Sequence, residues 1–306
     1  MSETVFTEAS VPNQSGRTVL ITGANTGLGH ETARVLAAKN ARVLLACRST
    51  DKGRSARDRI LALHPNADIE VVQLDLGSLE SIREAADQIR AEPRLDLIIN
   101  NAGIMYPPHE ETADGFESQF GVNHLGHFAL TGRLMDKVRA TPGARVVTVS
   151  SQGHRMRGGE IDFDDVHAEK SYSRQKRYNM SKLANLLFTY ELQRRFEAAG
   201  VDAVSIASHP GGSQTDLGRH MSKWTMILLK PFAPLITHPP AAAALTTLRA
   251  ATDPSATGGQ YYGPAGFLEM TGPPVAVESS AASHDRDVAR RLWDLSIELT
   301  GVDPGL

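Results

Sequence analysis

The feature that most constrains this chain is a short apolar, β-branched run, Thr18–Thr22. It passes directly into Thr22-Gly23-Ala24-Asn25-Thr26-Gly27-Leu28-Gly29 and then into a helical pattern over residues 28–39. The alternation repeats. Strand-like runs at 42–46, 69–74 and 95–99 are separated by helical patterns at 55–63 and 79–90. A long helical region follows at 116–139, then a strand at 145–149, a helix at 177–199 and a strand at 201–207. A helix at 240–251, a strand at 259–262 and a terminal helix at 285–299 complete the reading. Strands alternating with helices predict βαβ units and a parallel sheet. The strands are nearly continuous apolar runs, as expected when helices cover both faces.

Composition narrows the class. With 306 residues, 41% of them hydrophobic, the chain is long enough to bury a substantial core. Its 32 Lys and Arg against 35 Asp and Glu give a net charge of −3, so nothing in the charge favours nucleic acid. One cysteine, Cys47, cannot form an internal disulfide, and it reads as a small buried hydrophobe. No apolar run is long enough to span a bilayer; the nearest, at 224–236, is broken by Lys230, Pro231 and Pro234. The first 16 residues read as a flexible polar leader without the order of a secretory signal, and the default compartment is the cytoplasm. Residues 17–306 read as one domain, with a substrate loop at 212–240.

The chemistry gathers at the carboxyl ends of the strands, where open α/β sheets bind ligands. In residues 22–29, Gly23, Gly27 and Gly29 would let backbone N–H groups approach a phosphate at a helix N-terminus. The spacing G-x-x-x-G-x-G differs from the common G-x-G-x-x-G, and the competing reading is an ordinary tight turn. Arg48 follows the second strand, where an acidic residue would favour NAD by accepting from the ribose 2′-hydroxyl. A cation there suits a 2′-phosphate and hence NADP(H) over NAD(H); the alternative is a solvated surface arginine. Asp75 and Leu76 follow the third strand, where a carboxylate could meet the adenine amino group. Asn100, Asn101, Ala102 and Gly103 follow the fourth, where small residues would let a cofactor lie against the backbone.

Tyr178 and Lys182 stand four residues apart on one face of the long helix. A free tyrosine, with a pKa of about 10, is a poor proton donor or acceptor near neutrality. A cation about 4 Å away stabilises its phenolate by roughly 4 kcal/mol at an effective dielectric of 20, before desolvation opposes it. The fifth strand runs into Ser150-Ser151, either of which could polarise a substrate carbonyl or merely cap the junction.

In this order, TGANTGLG (22–29), Asp75, NNAG (100–103), Asn123, Ser150-Ser151, YNMSK (178–182) and HPG (209–211) resemble the short-chain dehydrogenase/reductase family across residues 17–299. TGANTGLGHETA, ACRS, NHLGHFALT and YNMSKLANLLF resemble its retinol-dehydrogenase-like and WW-domain-oxidoreductase-like members. The resemblance implies a Rossmann fold, doubly wound, with a seven-stranded parallel sheet. It also implies a catalytic tetrad of Asn123, Ser151, Tyr178 and Lys182. Lys182 would hold the nicotinamide ribose and lower the Tyr178 pKa, and Tyr178 would exchange the proton. Ser151, the second of its pair, would bind the carbonyl oxygen. Asn123 would bend its helix and hold a water in relay with Lys182. Cofactor contacts would come from Gly23, Asn25, Thr26, Gly27, Leu28, Gly29, Arg48, Asp75, Leu76, Asn101, Ala102, Gly103, Tyr178, Lys182, Pro210, Gly211 and Thr215. Homodimers or homotetramers are the family's common assemblies.

Several segments depart from that pattern. The gap between Ser151 and Tyr178 is long and carries Asp162, Asp164, Asp165 and His167; it reads as a cover for the cleft rather than a metal site. His124 and His127 read as packing or surface residues. Gly211-Gly212-Ser213 is smaller than in many relatives, and no hydrophobic N-terminal anchor precedes the fold, so retinoid activity is not carried over. The apolar stretch 217–237 reads as a lid favouring a lipophilic aldehyde, ketone or alcohol, against an oligomer contact, core packing or a membrane-surface helix. An NADP(H)-dependent carbonyl reductase or alcohol dehydrogenase is the leading function. The alternative is a nucleotide-binding regulatory protein of the same fold without turnover. A serine hydrolase lacks its G-x-S-x-G elbow.

Overall fold

A computed structural model describes residues 5–212 and 237–306. Eight strands form one sheet: β1 (Thr18–Thr22), β2 (Arg42–Cys47), β3 (Ile69–Gln73), β4 (Leu97–Asn100), β5 (Ala144–Val149), β6 (Ala203–Ser208), β7 (Tyr261–Pro264) and β8 (Pro274–Ala276). Their order is β3-β2-β1-β4-β5-β6-β7-β8. The first seven in that order run parallel and β8 pairs antiparallel with β7. The expected doubly wound Rossmann sheet is therefore present with one added edge strand. A three-residue strand beginning with proline suits an edge, because proline cannot donate to a ladder.

Alternate side chains of the central strands feed two cores. Leu20, Leu44, Ile98 and Val146 face one, beneath α3 (Leu79–Ile89), α5 (Gly126–Arg133), α7 (Arg174–Ala199) and α9 (Arg286–Thr300). Val19, Ile21, Val43, Leu45, Leu97, Ile99, Val147 and Ile206 face the other, beneath α1 (Gly27–Ala38), α2 (Thr50–Leu63) and α8 (Pro240–Thr252). Burial on both faces is the physical reason these strands carry no polar alternation.

The region expected to be one helix over 116–139 is divided into α4 (Ser118–Phe120), a π-helical turn at Gly121–Leu125, α5 and α6 (Met135–Ala140). Tertiary contacts account for the division. Asn123 bonds the backbone of Ile104, and Gly126 lies so close to β3's exit that an added Cβ would meet the Leu76 carbonyl at 2.4 Å. The described part of the leader packs on the fold. In residues 5–16, Phe6 and Val11 are buried, and Gln14 donates its backbone N–H to the Lys39 carbonyl.

Candidate active site

The direction of winding reverses between β1 and β4, so the loops leaving these two strands face each other across one crevice. They are tightly joined. The Thr22 hydroxyl accepts the backbone N–H groups of Asn101 and Ala102 at 2.9 Å, and the Asn101 amide donates to the Thr22 carbonyl. Gly23 has φ +67°, and a Cβ there would meet Ala102 at 3.0 Å. The glycine loop is thus pressed against the β4 exit as well as turned by it. The first turn of α1 opens at Gly27, with Thr26 before it in extended conformation.

Arg48 is exposed one residue beyond β2, whose Ala46 carbonyl accepts the Gly23 N–H. Cys47 beside it is buried, and burial raises its thiol pKa, as suits a packing residue. Asp75 leaves β3 with one carboxylate oxygen accepting the Gly77 N–H at 2.9 Å, while Leu76 is buried against Gly126.

Tyr178 and Lys182 come from the middle of α7, where every residue from Arg177 to Leu192 is buried. The Lys182 ammonium donates to the Val149 carbonyl at 3.2 Å and lies 5.7 Å from the centre of the Tyr178 ring. Burial brings its pKa down to about 8. Burial also pushes the Tyr178 phenol up to about 12, opposed by its hydrogen bond with the Ser151 side chain and assisted by Tyr106. Desolvation is the largest influence on the phenol, and it acts against the lowering expected from Lys182.

The two serines at the end of β5 divide their tasks. Ser150 is buried and donates its hydroxyl to the Lys182 carbonyl at 2.8 Å, whereas Ser151 is only half-buried and stands beside Tyr178. Ser151 also caps the following turn, accepting the Gly153 N–H at 3.2 Å.

Asn123 sits in the π-turn. Its side chain accepts the Ile104 N–H and donates to the Ile104 carbonyl and to the Ser181 hydroxyl, at 2.8, 3.0 and 2.9 Å. A Cβ at Gly103 would lie 3.2 Å from Asn123 Oδ1 and 3.5 Å from Lys182 Nζ, so glycine keeps the floor between them open. Asn123, Ser151, Tyr178 and Lys182 are thus brought around one crevice. His127 joins them to the glycine loop: its Nδ1 bonds the Asn123 carbonyl at 3.0 Å and its Nε2 the Thr22 hydroxyl at 2.8 Å. It is a buried hydrogen-bonding residue, and His124 is buried against Phe120 and bonded to Ser296.

His209, Pro210 and Gly211 leave β6. His209 is fully buried, and Gly211, with φ +67°, has no room for a Cβ beside the Met270 carbonyl at 2.3 Å. Thr215 and most of the apolar stretch 217–237 lie outside the described residues. In the long insert, Asp165 pairs with Arg177 at 3.0 Å, and Val166 packs with Met180. Among the described residues no cluster of three His, Cys, Asp or Glu could hold a metal, and no helix is long and apolar enough to cross a membrane.

Sequence reasoning missed Tyr106 and Ser181. Tyr106 meets the Tyr178 ring edge-on at 5.3 Å, and its place a few residues beyond NNAG was the available signal. Ser181 lies inside YNMSK, where its hydroxyl accepts from the Asn123 amide and donates to the Tyr178 carbonyl.

Comparison with known proteins agrees with this geometry. The short chain dehydrogenase family profile matches residues 17–226. The chain belongs to the short-chain dehydrogenase/reductase family. It is 41% identical to human (Homo sapiens) retinol dehydrogenase 13 over 304 residues, covering 97% of this chain and 87% of that protein. It is 40% identical to human retinol dehydrogenase 12 over 290 residues, covering 94% and 87%. A crystal structure of a protein from Mycobacterium paratuberculosis superposes with a TM-score of 0.82 at 40% identity, covering 99% of this chain and all of that one. A dehydrogenase from Beutenbergia cavernae with bound NADP shares the fold at 24% identity and a TM-score of 0.66, covering 82% of this chain and 96% of that one. The chain is thus an NAD(P)-dependent oxidoreductase acting on alcohol or carbonyl groups of a small molecule.

The donor set suits such a dinucleotide. Backbone N–H groups open α1, small residues leave β4, and the Gly103 gap lies under a buried ammonium.

Proposed function

We propose that this chain is an NADP(H)-dependent oxidoreductase for lipophilic aldehydes, ketones or alcohols, with Tyr178 as its proton-exchanging group. The observation that carries the reading is the Tyr178 hydroxyl, buried beside Ser151 and within the same crevice as the Lys182 ammonium. Hydride is the chemistry that a bound nicotinamide dinucleotide supplies. Gly23, Asn25, Thr26, Gly27, Leu28 and Gly29 would hold its phosphates. Asp75 and Leu76 would lie at the adenine, and Asn101, Ala102, Gly103, Pro210, Gly211 and Thr215 along the nicotinamide half.

A phenol raised to about 12 carries its proton at neutral pH but is a weaker acid than free tyrosine, so donation to a carbonyl oxygen would rely on the charge developing there and on the Lys182 ammonium. Ser151 would give that oxygen a second hydrogen bond. Lys182 would place a positive charge below the phenol and hold ribose hydroxyls. Asn123 would fix the crevice floor through Ile104 and Ser181 rather than touch substrate.

Arg48 supports NADP(H) over NAD(H), since an exposed guanidinium at the β2 tip matches a 2′-phosphate. Support for a lipophilic substrate comes from Ile104, Met105 and Tyr106, a half-buried apolar segment ending against Tyr178, and from the relatives named retinol dehydrogenases.

The test is a depletion screen of short polar and long apolar aldehydes, ketones and alcohols with NADPH, NADP, NADH and NAD. Faster turnover of apolar substrates with the phosphorylated cofactor is expected. Faster turnover of polar ones overturns the substrate class, and tight cofactor binding without any turnover supports the regulatory alternative.

A further inference from the structure

Two chain segments that border the crevice converge, through three side chains, on one carboxylate outside the tetrad. Glu269 lies in the connection between β7 and β8. Its Oε2 accepts from His209 Nε2 at 3.0 Å and from the Gln152 side-chain amide, and its Oε1 accepts from Arg155 at 3.3 Å. Gln152 and Arg155 belong to the single turn that follows Ser151, and His209 opens the His209-Pro210-Gly211 segment.

The histidine tautomer is fixed by its neighbours. The Gly211 N–H donates to His209 Nδ1 at 3.3 Å, so the ring hydrogen is on Nε2 and points at Glu269. His209 is fully buried, and removing its acceptor would leave that N–H unpaired. The backbone around the carboxylate is held in an uncommon shape: Leu268 and Glu269 have φ +50° and +55°, the left-handed region that side chains disfavour. Phe267 and Leu268 are 72% and 70% exposed, so apolar burial of these two does not explain the turn. Backbone bonds from the Gly266 N–H to the Thr271 carbonyl and from the Glu269 N–H to the Gly266 carbonyl close the turn, and the Glu269 carboxylate is held by its three polar partners.

We propose that Glu269 is a positioning residue that braces the Ser151 turn against the His209-Pro210-Gly211 segment, setting the Ser151 hydroxyl beside Tyr178. The catalytic part rests on the oxidoreductase reading above; the bracing does not. A second tie runs in parallel, from the Ser280 N–H to His154 Nε2, with His154 Nδ1 on the Ser151 carbonyl at 2.6 Å. Glu269 differs from it in joining the β5 and β6 exits to each other.

The experiment compares wild type, Glu269→Ala, Glu269→Gln, Ser151→Ala and the double variant Ser151→Ala with Glu269→Ala. Misplacement of a positioned group lowers kcat on the order of 10- to 100-fold, and that loss is expected of Glu269→Ala with cofactor Kd changed less than about twofold. Glu269→Gln keeps an acceptor of the same reach and is expected to recover most of the loss. In the Ser151→Ala background the Glu269→Ala change is expected to add nothing, because its effect passes through that hydroxyl. An equal kcat loss in both backgrounds, or none in wild type, overturns the role.

Amide hydrogen exchange over residues 150–156 and 209–212 reads the brace without activity. Faster exchange in both segments of Glu269→Ala is expected, and unchanged exchange in either overturns it. Should wild type turn over no substrate, the oxidoreductase reading fails while the exchange result still decides the brace. If Glu269→Ala does not fold, Glu269→Gln is read by the same exchange comparison against wild type, with slight acceleration in both segments expected and none overturning the proposal.

Discussion

Lys182 Nζ lies 5.7 Å from the centre of the Tyr178 ring and donates one of its three N–H groups to the Val149 carbonyl at 3.2 Å. The two groups share a buried crevice but are shifted in opposite senses by it. Burial favours each neutral form, taking the phenol up to about 12 and the ammonium down to about 8. At neutral pH this leaves a protonated tyrosine beside a charged lysine, the protonation states that the proposed reduction would use.

Tyr178→Phe removes only the phenolic oxygen. General acid catalysis contributes on the order of 100- to 10,000-fold, so kcat for carbonyl reduction is expected to fall by about that factor. Cofactor affinity, measured by titration calorimetry, should stay within about twofold, since the glycine loop and Arg48 are untouched. A variant that keeps near-normal turnover removes Tyr178 from proton transfer.

The lysine sets a pH limit. Its folded pKa near 8 lies below the ordinary lysine value of 10.5, so the folded protein releases this proton first as pH rises. Between those two values the unfolded chain binds more protons, and the penalty of burying the charge, about 3 kcal/mol, is relieved. Stability contributed by this group therefore rises above pH 8 while the useful charge disappears. The kcat/KM for reduction, which reports the free enzyme, is expected to decline through pH 8. Lys182→Arg stays protonated and should lose that break, whatever its absolute rate. Persistence of the same break in Lys182→Arg would assign it to another group.

How much of this was legible in the sequence depends on distance along the chain. Residues 22–29 and the pair Tyr178 and Lys182 each lie within one loop or one helical turn, so the local pattern sets their placement on these elements, and the parallel sheet follows from the βαβ pattern. The contact of Tyr106 with Tyr178 and that of Glu269 with His209 join segments brought together only by the sheet, and no local pattern encodes them. Within the helical stretch a bend at Asn123 follows only from the family resemblance, because α and π backbones draw on the same local preferences; the bonds from Asn123 to Ile104 accompany the π-turn there. Phe6 and Val11 were overlooked as isolated apolar residues in a polar leader, and β8 because a three-residue strand with proline has no periodicity to detect.

Arg48 offers a test of cofactor choice. A hydrogen bond to a charged group contributes about 1.5–3 kcal/mol, so Arg48→Asp is expected to weaken NADP binding by roughly 10- to 100-fold. The introduced carboxylate repels a 2′-phosphate and can accept from a 2′-hydroxyl, so NAD affinity should hold or improve. Measuring Kd for both cofactors checks this, and equal changes in the two would place Arg48 away from the phosphate.

His127 ties acid stability to the architecture of the crevice. Its Nδ1–H donates to the Asn123 carbonyl, so Nε2 is the acceptor for the Thr22 hydroxyl, and a second proton has no place to go. Burial lowers its pKa to about 4. With a folded value below the unfolded 6.5, the unfolded chain takes up the proton first as pH falls, so stability drops from about pH 6.5 downward. By pH 5 the contribution lost is about 2 kcal/mol. His127→Asn is expected to cost about 1–3 kcal/mol at pH 7.5 by breaking the link between Thr22 and Asn123. It should then lose about 2 kcal/mol less than wild type on going to pH 5, measured by urea unfolding at both pH values. The same loss in both proteins would show that folding does not lower the His127 pKa, and the constraint argued from Asn123 and Thr22 would be wrong.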